Sequence, residues 1–184
     1  PESSGISKHY YTRMEVEIGE GRKTIPISFL SLHLVAIPLE KSSCSQREAQ
    51  ALVARDIMRY LQLQNSSEIV IFGDFNDYDS QVLDYFNSIP NSKTLEILKD
   101  PPMLNLTNIA KFLPQSDRWT NWYDKNNNGR IDFDKGEATM IDYILLSSNL
   151  TNAIQNVSIP NKILYPTGNK NYSDHWPVVV TIDL

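Results

Sequence analysis

The chain has 184 residues, of which 41% are hydrophobic and 10% aromatic, so it can bury a core of its own as a single domain. Its formal net charge of −5 excludes a generally basic surface, so a phosphate-containing substrate would need local basic groups or metal ions. No apolar run approaches the roughly 18 residues of a membrane span, so none is expected.

Cysteine and asparagine usage bear on the compartment. Cys44 is the single cysteine, which excludes an internal disulfide framework and a multi-cysteine zinc site. Asn-x-Ser/Thr sequons, which accept glycans only in a secreted protein, begin at Asn65, Asn105, Asn149, Asn156 and Asn171. They favour a secreted or extracellular protein, although a chain rich in Asn, Ser and Thr also produces such sequons by chance.

The first part of the chain predicts a hairpin followed by a long helix. Residues 10–18 and 25–34 alternate as strands, with a turn at 19–21 between them. Ser45 and Glu48 form a capping box, after which apolar residues recur at helical spacing on one face. That face consists of Ala49, Leu52, Val53, Ile57, Tyr60 and Leu61.

The rest of the chain alternates further strands and helices. Residues 69–72 form a short apolar run ended by Gly73, as in a central strand that is covered on both faces. The other predicted elements are helices at 80–86 and 94–98 and strands at 119–123, 140–146 and 176–184. This alternation predicts a layered α/β domain.

A first candidate site directly follows the predicted central strand. In Gly73-Asp74-Phe75-Asn76-Asp77, polar side chains leave a strand end, where ligands commonly bind in layered α/β folds. Asp74 could orient or deprotonate a water, and Asn76 could donate a hydrogen bond to a phosphoryl oxygen. The alternative interpretation is an Asp/Asn-rich turn that caps the next helix.

Two histidines lie next to predicted strands. Ser173-Asp174-His175 pairs an oxygen ligand with an imidazole, which suits a metal ligand beside a general base, although such a pair is also common in a solvated turn. His33 ends an apolar strand, where a lone histidine is usually a core residue. Its candidacy depends on the other polar groups converging on the same strand end, and each of them does lie at a strand edge.

Asp142 stands inside the apolar run at 140–146. On a strand it shares a face with apolar residues, so an unpaired charge there would be costly. It therefore needs a partner, which is either an imidazole or a set of backbone amides.

Together these motifs resemble the endonuclease/exonuclease/phosphatase superfamily, which includes the pancreatic-type deoxyribonucleases. The segments that carry the resemblance are Ser31-Leu32-His33-Leu34, Arg47-Glu48-Ala49-Gln50, Gly73-Asp74-Phe75-Asn76, Ile141-Asp142-Tyr143-Ile144-Leu145 and Ser173-Asp174-His175-Trp176-Pro177-Val178. They occur in the family's order and cover almost the whole chain. The resemblance implies a four-layer α/β/β/α fold, in which helices flank a β-sandwich.

The resemblance also implies catalytic roles. His175 resembles the imidazole that acts on the attacking or departing oxygen, with Asp142 hydrogen-bonded to it to fix its tautomer and charge. Asp74 and Asn76 resemble the pair that positions the water and the scissile phosphate. His33 resembles the second histidine, which contacts the phosphate or assists the leaving group.

A catalytic metal ion is part of the same resemblance. Asp174 resembles the metal-binding carboxylate of the family, whose members use Mg²⁺ or Mn²⁺ to neutralise developing charge during in-line attack of water on phosphorus. The implied reaction is therefore the hydrolysis of a phosphate ester.

One part of the family pattern has no counterpart. The first half of the family's domain supplies an Asn and a metal-binding Glu, and no segment here matches them. The remaining half was removed, is a separate chain or was never present, and in the last case the metal site is incomplete. We expect residues 1–184 to be the C-terminal part of one such domain, with the remaining half in the same protein or in a separate chain.

The segment 124–136 predicts an ordered polar loop with a second metal site. Its oxygen-bearing side chains and central glycine follow the spacing of Ca²⁺-binding loops. The candidate ligands are Asp124, Asn126, Asn128, Arg130, Asp132 and Glu137. Lys135 stands where a bidentate Glu is usual, so Glu137 or Asp134 would have to substitute, and the alternative is a solvated Asn-rich loop. In either case the loop braces Arg118 and Trp119, which are candidate substrate-binding residues.

These observations favour a metal-dependent, nuclease-like phosphodiesterase acting on a phosphate ester. Ile141-Asp142-Tyr143 lacks the Cys-Asp-Arg signature of inositol phosphatases, which argues against that branch. The acidic charge argues slightly against tight duplex DNA binding and does not exclude a small or single-stranded substrate. The alternative function is a catalytically inactive, Ca²⁺-stabilised binding or scaffold module of the same fold.

Overall fold

A computed structural model describes residues 10–18, 23–65, 67–100, 102–162 and 173–184. The strands are β1 (Tyr10–Ile18), β2 (Lys23–His33), β3 (Glu68–Asp74), β4 (Thr107–Asn108), β5 (Asn121–Trp122), β6 (Ala138–Thr139), β7 (Asp142–Leu146), β8 (Ile154–Ser158) and β9 (Val179–Ile182). The α-helices are α1 (Lys41–Asn65), α2 (Thr94–Lys99) and α3 (Ser148–Asn152). Single 3₁₀ turns occupy Ile109–Phe112, Gln115–Asp117, Phe133–Lys135 and Pro160–Lys162. The turn predicted at 19–21 lies outside the described residues.

The central sheet has the strand order β1-β2-β3-β7-β4. β2 and β3 are parallel, since α1 crosses over between them, and the other neighbours in this sheet are antiparallel. Two smaller pairs, β5 with β6 and β8 with β9, lie outside it. The predicted hairpin of the first two strands is confirmed, with Tyr10 opposite Ser31 and Ile18 opposite Lys23.

Alternate side chains of the central sheet point to opposite faces and fill two cores. On one face, Leu30, Leu32 and Ile71 pack among the buried residues of α1 and α2. On the other face, Val70 and Leu146 belong to a second cluster that includes residues of α3, β8 and β9. The predicted α/β class, with packed sheets and flanking helices, is therefore confirmed.

The start of α1 differs from the sequence prediction. The helix begins at Lys41, before the predicted cap at Ser45. Glu48 does not close a capping box, because its carboxylate accepts the backbone N–H of Lys93 at 2.8 Å, next to α2. Glu48 thus makes a tertiary contact in place of the capping bond that the sequence motif predicted.

The buried face of α1 also differs from the prediction. Leu52, Val53 and Tyr60 were expected in the core and are 40%, 55% and 63% exposed. The helix buries the residues of another stripe, namely Cys44, Arg47, Ala51, Ala54 and Met58. Small residues on that stripe let the helix approach the sheet closely, so packing outweighs the apolar pattern.

The helix predicted at 80–86 is wrong, because this segment consists of bends and turns. Asp79 accepts the N–H of Gln81 at 2.9 Å, and Asp84 accepts the N–H of Phe86 at 3.0 Å. An aspartate that binds a nearby N–H offers the backbone an alternative to the helical hydrogen bond.

The remaining predicted elements are present, with bounds that differ from the predicted ones. The helix predicted at 94–98 corresponds to α2, and the strands predicted at 119–123, 140–146 and 176–184 contain β5, β7 and β9. No described helix has both the length and the apolar character needed to cross a membrane.

Candidate active site

Three polar side chains, called the row below, lie side by side at one end of the central sheet. His33 ends β2, Asp74 ends β3 and Asp142 begins β7. The register places His33 opposite Asp74, and Asp74 opposite Asp142. Paired residues of neighbouring strands share a face, so all three point toward the side that carries β8 and β9. The Nε2 atom of His33 is 3.6 Å from Oδ2 of Asp74.

The backbone after β3 places Asn76 directly beside Asp74. Gly73 has a φ of +127°, and a Cβ atom there would lie 2.1 Å from the carbonyl oxygen of Leu32, so only glycine fits. Asn76 donates its backbone N–H to Oδ1 of Asp74 at 2.9 Å. Its Nδ2 donates to Oδ2 of Asp74 at 3.0 Å and to the carbonyl of Leu34 at 3.1 Å. Both amide hydrogens are directed at protein acceptors, so donation to a phosphoryl oxygen would replace one of these bonds.

His175 faces the row from the segment that precedes β9. Its Nδ1 is 2.9 Å from Oδ2 of Asp142, and its Nε2 is 3.1 Å from Nδ2 of Asn121. An ionised carboxylate only accepts, so Nδ1 carries the hydrogen and Nε2 accepts from the Asn121 amide. The imidazole is therefore held in the tautomer whose lone pair lies on Nε2.

The β5 segment anchors His175 and Asp142 together. Trp122 donates its backbone N–H to the carbonyl of Asp174 at 2.9 Å, and Trp176 donates its backbone N–H to the carbonyl of Thr120 at 2.7 Å. The hydroxyl oxygen of Thr120 accepts the N–H of Asp142 at 3.1 Å. The same short segment therefore holds both partners of the imidazole–carboxylate pair.

Sequence reasoning missed Thr120 and Asn121 as site residues. Both lie in the run 119–123, which was predicted as a strand, and nothing in that run marked the fully buried Thr120 or Asn121 as a polar group of the site. The contact itself had no local signal, because Asn121 and His175 are 54 positions apart.

The electrostatics of the row are unbalanced. Burial raises the pKa of Asp74, and the nearby Asp142 carboxylate raises it further, whereas the Asn76 N–H lowers it. The hydrogen bond to Asp142 raises the pKa of His175, against the opposing effect of burial. Two carboxylates thus crowd one another beside an imidazole that readily takes a proton.

This crowding fits a divalent cation. Asp74, Asp142 and His175 each offer a ligand atom, and these atoms lie within 4.8 Å of one another. The two carboxylates supply oxygen ligands, which suit Mg²⁺ or Mn²⁺, whereas an imidazole is a ligand that suits Zn²⁺ and other transition metals. Asp174, the predicted metal ligand, is exposed and outside this group, although its charge is a lesser cause of the raised pKa of His175.

The segment after β2 is held in place by α1. Arg47 is fully buried, and its guanidinium donates to the carbonyls of Val35 at 3.0 Å and Pro38 at 2.7 Å. Its Nε lies 3.5 Å from the buried carboxylate of Asp77. Gln50 accepts the N–H of Val35 at 3.1 Å. Arg47 and Gln50 belong to the segment Arg47-Glu48-Ala49-Gln50 of the family resemblance. They thus fix the chain that directly follows His33.

The Asn-rich loop is closed by its own hydrogen bonds. Asp124 accepts the N–H groups of Asn128 at 3.1 Å and Gly129 at 2.8 Å. Asp132 accepts the side-chain amides of Asn126 at 2.6 Å and Asn128 at 3.0 Å. The predicted Ca²⁺ ligands therefore share one loop, and its carboxylates are satisfied by amide donors.

Glu137 closes the far end of this loop. It is 1% exposed and accepts the N–H groups of Lys125 at 3.1 Å and Asp132 at 3.0 Å. Lys135 approaches Asp132 at 3.2 Å, and Arg130 is exposed. Glu137 is thus engaged with backbone groups of the loop.

Arg118 and Trp119 lie within the fold and do not face the site. Arg118 donates to the carbonyls of Leu113 at 2.8 Å and Leu83 at 3.1 Å, and burial lowers its pKa. Trp119 is 1% exposed and packs edge-on against Trp176, with ring centroids 4.9 Å apart. Their positions give them structural roles in place of the predicted substrate contacts.

Comparison with known proteins gives a match in structure but not in sequence. No protein-family model matches the chain, and no curated protein matches it. Among solved structures, the 3′ phosphatase NExo from Neisseria, in a complex with a product DNA hairpin, has a TM-score of 0.64 and 17% identity. The match covers 88% of this chain and 63% of that protein. The chain therefore shares its fold.

Two further structures agree with this likeness. The catalytic domain of Xenopus laevis APE2 has a TM-score of 0.58 and 18% identity, and the match covers 94% of this chain and 54% of that one. An AP endonuclease from Archaeoglobus fulgidus has a TM-score of 0.57 and 15% identity, with coverages of 94% and 65%. The chain spans less than two thirds of the length of each of these three proteins. The predicted endonuclease/exonuclease/phosphatase fold is confirmed.

Proposed function

We propose that this chain carries catalytic residues of a divalent-metal-dependent hydrolase of phosphate esters, acting as a nuclease-like phosphodiesterase. The observation that carries the proposal is the cluster of Asp74, Asp142 and His175 at one end of the sheet. The likeness in fold to a 3′ phosphatase and an AP endonuclease supports it.

In this proposal His175 is the general base. Its Nε2 lone pair takes a proton from the attacking water as the water oxygen forms a bond to phosphorus and the ester P–O bond breaks. Asp142 accepts from Nδ1, so it orients the ring and stabilises the imidazolium that results. The raised pKa of His175 reflects the same stabilisation.

The other residues of the row position the reactants. Asp74 accepts a hydrogen bond from the water and orients it, and Asn76 fixes Asp74 through its two donors. His33 lies 3.6 Å from Asp74, and its side chain is 77% exposed. From there it contacts the phosphate and protonates the departing oxygen, which balances the proton taken by the base.

A divalent cation would be held by Asp74 and Asp142, with Asp174 as a further carboxylate. Mg²⁺ or Mn²⁺ at that place supplies neutralisation of the charge that develops on the phosphoryl oxygens. The raised pKa of Asp74 supports this assignment, because a cation would relieve the repulsion from Asp142.

We further propose that the working domain includes a segment beyond this chain, in the same protein or in a partner chain. Phe72 is 36% exposed on the sheet face that carries Asp74, next to the site. Among the described strands, β9 pairs only with β8, so its other edge is open to pairing. A strand added there would cover apolar surface and bring another carboxylate toward the row.

The loop 124–137 is proposed as a structural Ca²⁺ site. Its spacing of oxygen-bearing residues supports this. An ion would replace the amide donors that now neutralise the Asp132 carboxylate.

Secretion is proposed from the sequons. Asn105, Asn149 and Asn156 are exposed, as glycan acceptors must be. Asn171 and the side chain of Asn65 lie outside the described residues.

The decisive experiment measures hydrolysis of a generic phosphodiester and of DNA by the intact protein, with Mg²⁺, with Mn²⁺ and with a chelator. We expect metal-dependent turnover that Asp74→Asn abolishes. Asp56→Asn is the matched control, because the Asp56 side chain is 63% exposed on α1, away from the row. No turnover by the folded intact protein, or equal turnover with chelator, would refute the proposal.

A further inference from the structure

An aromatic side chain with no part in the chemistry above directly follows β5, the strand whose Asn121 contacts His175. Trp122 is buried at 6% exposure, whereas Tyr123, immediately after β5, is 69% exposed. The N–H of Tyr123 continues the pairing of β5 with β6, and alternation of side chains along that pairing places Tyr123 on the side of Asn121. Asn121 is the residue whose amide reaches Nε2 of His175 at 3.1 Å.

The backbone under Tyr123 is fixed on both sides. Its N–H donates to the carbonyl of Glu137 at 2.8 Å, which continues the pairing of β5 with β6. On the other side Trp122 donates to the carbonyl of Asp174 at 2.9 Å, and Asn121 bridges to His175. An exposed aromatic ring on a braced backbone is held ready for a ligand, since little backbone freedom is lost on binding.

The backbone spacing between Asn121 and Tyr123 is close to the size of one nucleotide. Strands rise about 3.4 Å per residue, so Tyr123 lies about 7 Å along the strand from Asn121. This separation is comparable with one sugar and base beside a phosphate that occupies the site near His175. Bases stack on aromatic side chains in proteins that bind single strands, with little sequence preference.

The surroundings favour a nucleic acid over a lipid. Asp124 and Lys125 follow Tyr123 directly, and Arg130 is exposed in the same loop, so the ring does not belong to a continuous apolar patch. A lipid chain would need such a patch, whereas a strand needs one aromatic face and nearby positive charge.

We propose that Asn121 and Tyr123 form a nucleotide subsite, in which the Tyr123 ring stacks on the base next to the reacting phosphate of a single strand. Asn121 exchanges its bond to His175 for one to a phosphoryl oxygen when the strand binds. This inference rests on the proposed phosphodiesterase function, because it places the phosphate beside His175.

The test compares two single-stranded oligodeoxynucleotides of one length, one of thymidine throughout and one with base-free sugars around the scissile phosphate. For the intact protein, Tyr123→Ala should raise KM for the base-bearing strand about tenfold, with kcat nearly unchanged, because a stacked base stabilises binding. KM for the base-free strand should not change. Tyr123→Phe keeps the ring and should behave as the unaltered protein.

Tyr60→Ala is the matched control, because Tyr60 is 63% exposed on α1, on the opposite face of the sheet. A loss that is equal for both strands, or that falls on kcat alone, would overturn the subsite. The same conclusion would follow if the unaltered protein bound both strands equally.

Binding measured by fluorescence anisotropy in chelator separates this inference from the function on which it rests. A preference for the base-bearing strand that Tyr123→Ala removes, without any turnover when metal is added, would keep the subsite and refute the phosphodiesterase. Turnover without that preference would do the reverse.

Discussion

The row at the sheet end and the Asn-rich loop are both acidic, and they are built in opposite ways. In the row, burial and then the neighbouring Asp142 raise the pKa of Asp74. In the loop, hydrogen bonds from Asn126 and then Lys135 lower the pKa of Asp132. The row leaves negative charge crowded, whereas the loop neutralises it with donors a few residues away.

This difference distinguishes the row, as a proposed catalytic site, from the Asn-rich loop, as a structural element. Crowded carboxylates beside a histidine cost stability and gain a role only when a cation or a reacting group balances them. A carboxylate that accepts local N–H groups holds a loop in shape whether or not an ion binds. Changes in the row should therefore reduce turnover, and changes in the loop should reduce stability.

The largest effect is expected for His175→Ala. Loss of a general base lowers the rate by about 100-fold to 10,000-fold, so kcat on a phosphodiester should fall by that factor. The His175 side chain is 32% exposed, so at alkaline pH, where its charge pairing with Asp142 contributes no stability, the thermal unfolding midpoint should stay close to that of the unaltered protein. An unchanged kcat would contradict the catalytic role of the row.

Asp142→Asn should lower kcat by about 100-fold, because the ring loses the acceptor that fixes its tautomer. The pKa of His175 should fall in this variant. In the unaltered protein the raised pKa contributes stability below pH 6.5, and that contribution is lost as pH rises through the folded-state value.

Chemical denaturation across that pH range measures this second effect. The difference in unfolding free energy between Asp142→Asn and the unaltered protein should be larger below pH 6.5 than at alkaline pH. A difference that grows with pH would contradict the assigned pair.

Glu137→Gln should act on stability. An amide has one oxygen for two backbone N–H groups, so one buried donor loses its partner at a cost of about 1–3 kcal/mol. Denaturant titration measures the loss, and Asp134→Asn, an exposed change in the same loop, should leave stability unaltered. A hundredfold loss of kcat without loss of stability would assign the loop to the chemistry.

The smallest effect is expected for the cation itself. Mg²⁺ at ten times its Kd stabilises the folded state by about 1.4 kcal/mol. Asp74→Asn should gain less from Mg²⁺, because a charged ligand is gone. The raised pKa of Asp74 means that its ionisation destabilises the folded unaltered protein, increasingly as pH rises above the usual aspartate value of 3.8. Without Mg²⁺, Asp74→Asn is free of this destabilisation.

Thermal unfolding with and without Mg²⁺ measures both the stabilisation by the ion and the stability of the ion-free proteins. Equal stabilisation of Asp74→Asn and the unaltered protein would place the ion elsewhere. Asp56→Asn serves again as the matched exposed control.

The sequence placed Asp74 correctly at the end of a buried strand, but β3 runs through Gly73 to Asp74 and does not end at residue 72 as predicted. The contact of Gly73 with the Leu32 carbonyl shows why glycine stands there. The apolar stripe of α1 was misassigned, because Arg47 is buried by carbonyl acceptors on another segment. No spacing rule for a helix anticipates a guanidinium in its buried face.

The sequence by itself determined the order of the main strands, the oxygen-rich motifs and the fold that the chain shares with known structures, because these depend on residues that are near one another or follow a fixed order. Only the tertiary structure decided that His33, Asp74 and Asp142 form one row, that Asn121 reaches His175, and that Trp119 lies in the core. Strand register and side-chain burial depend on contacts between distant segments, and a local pattern carries no record of them.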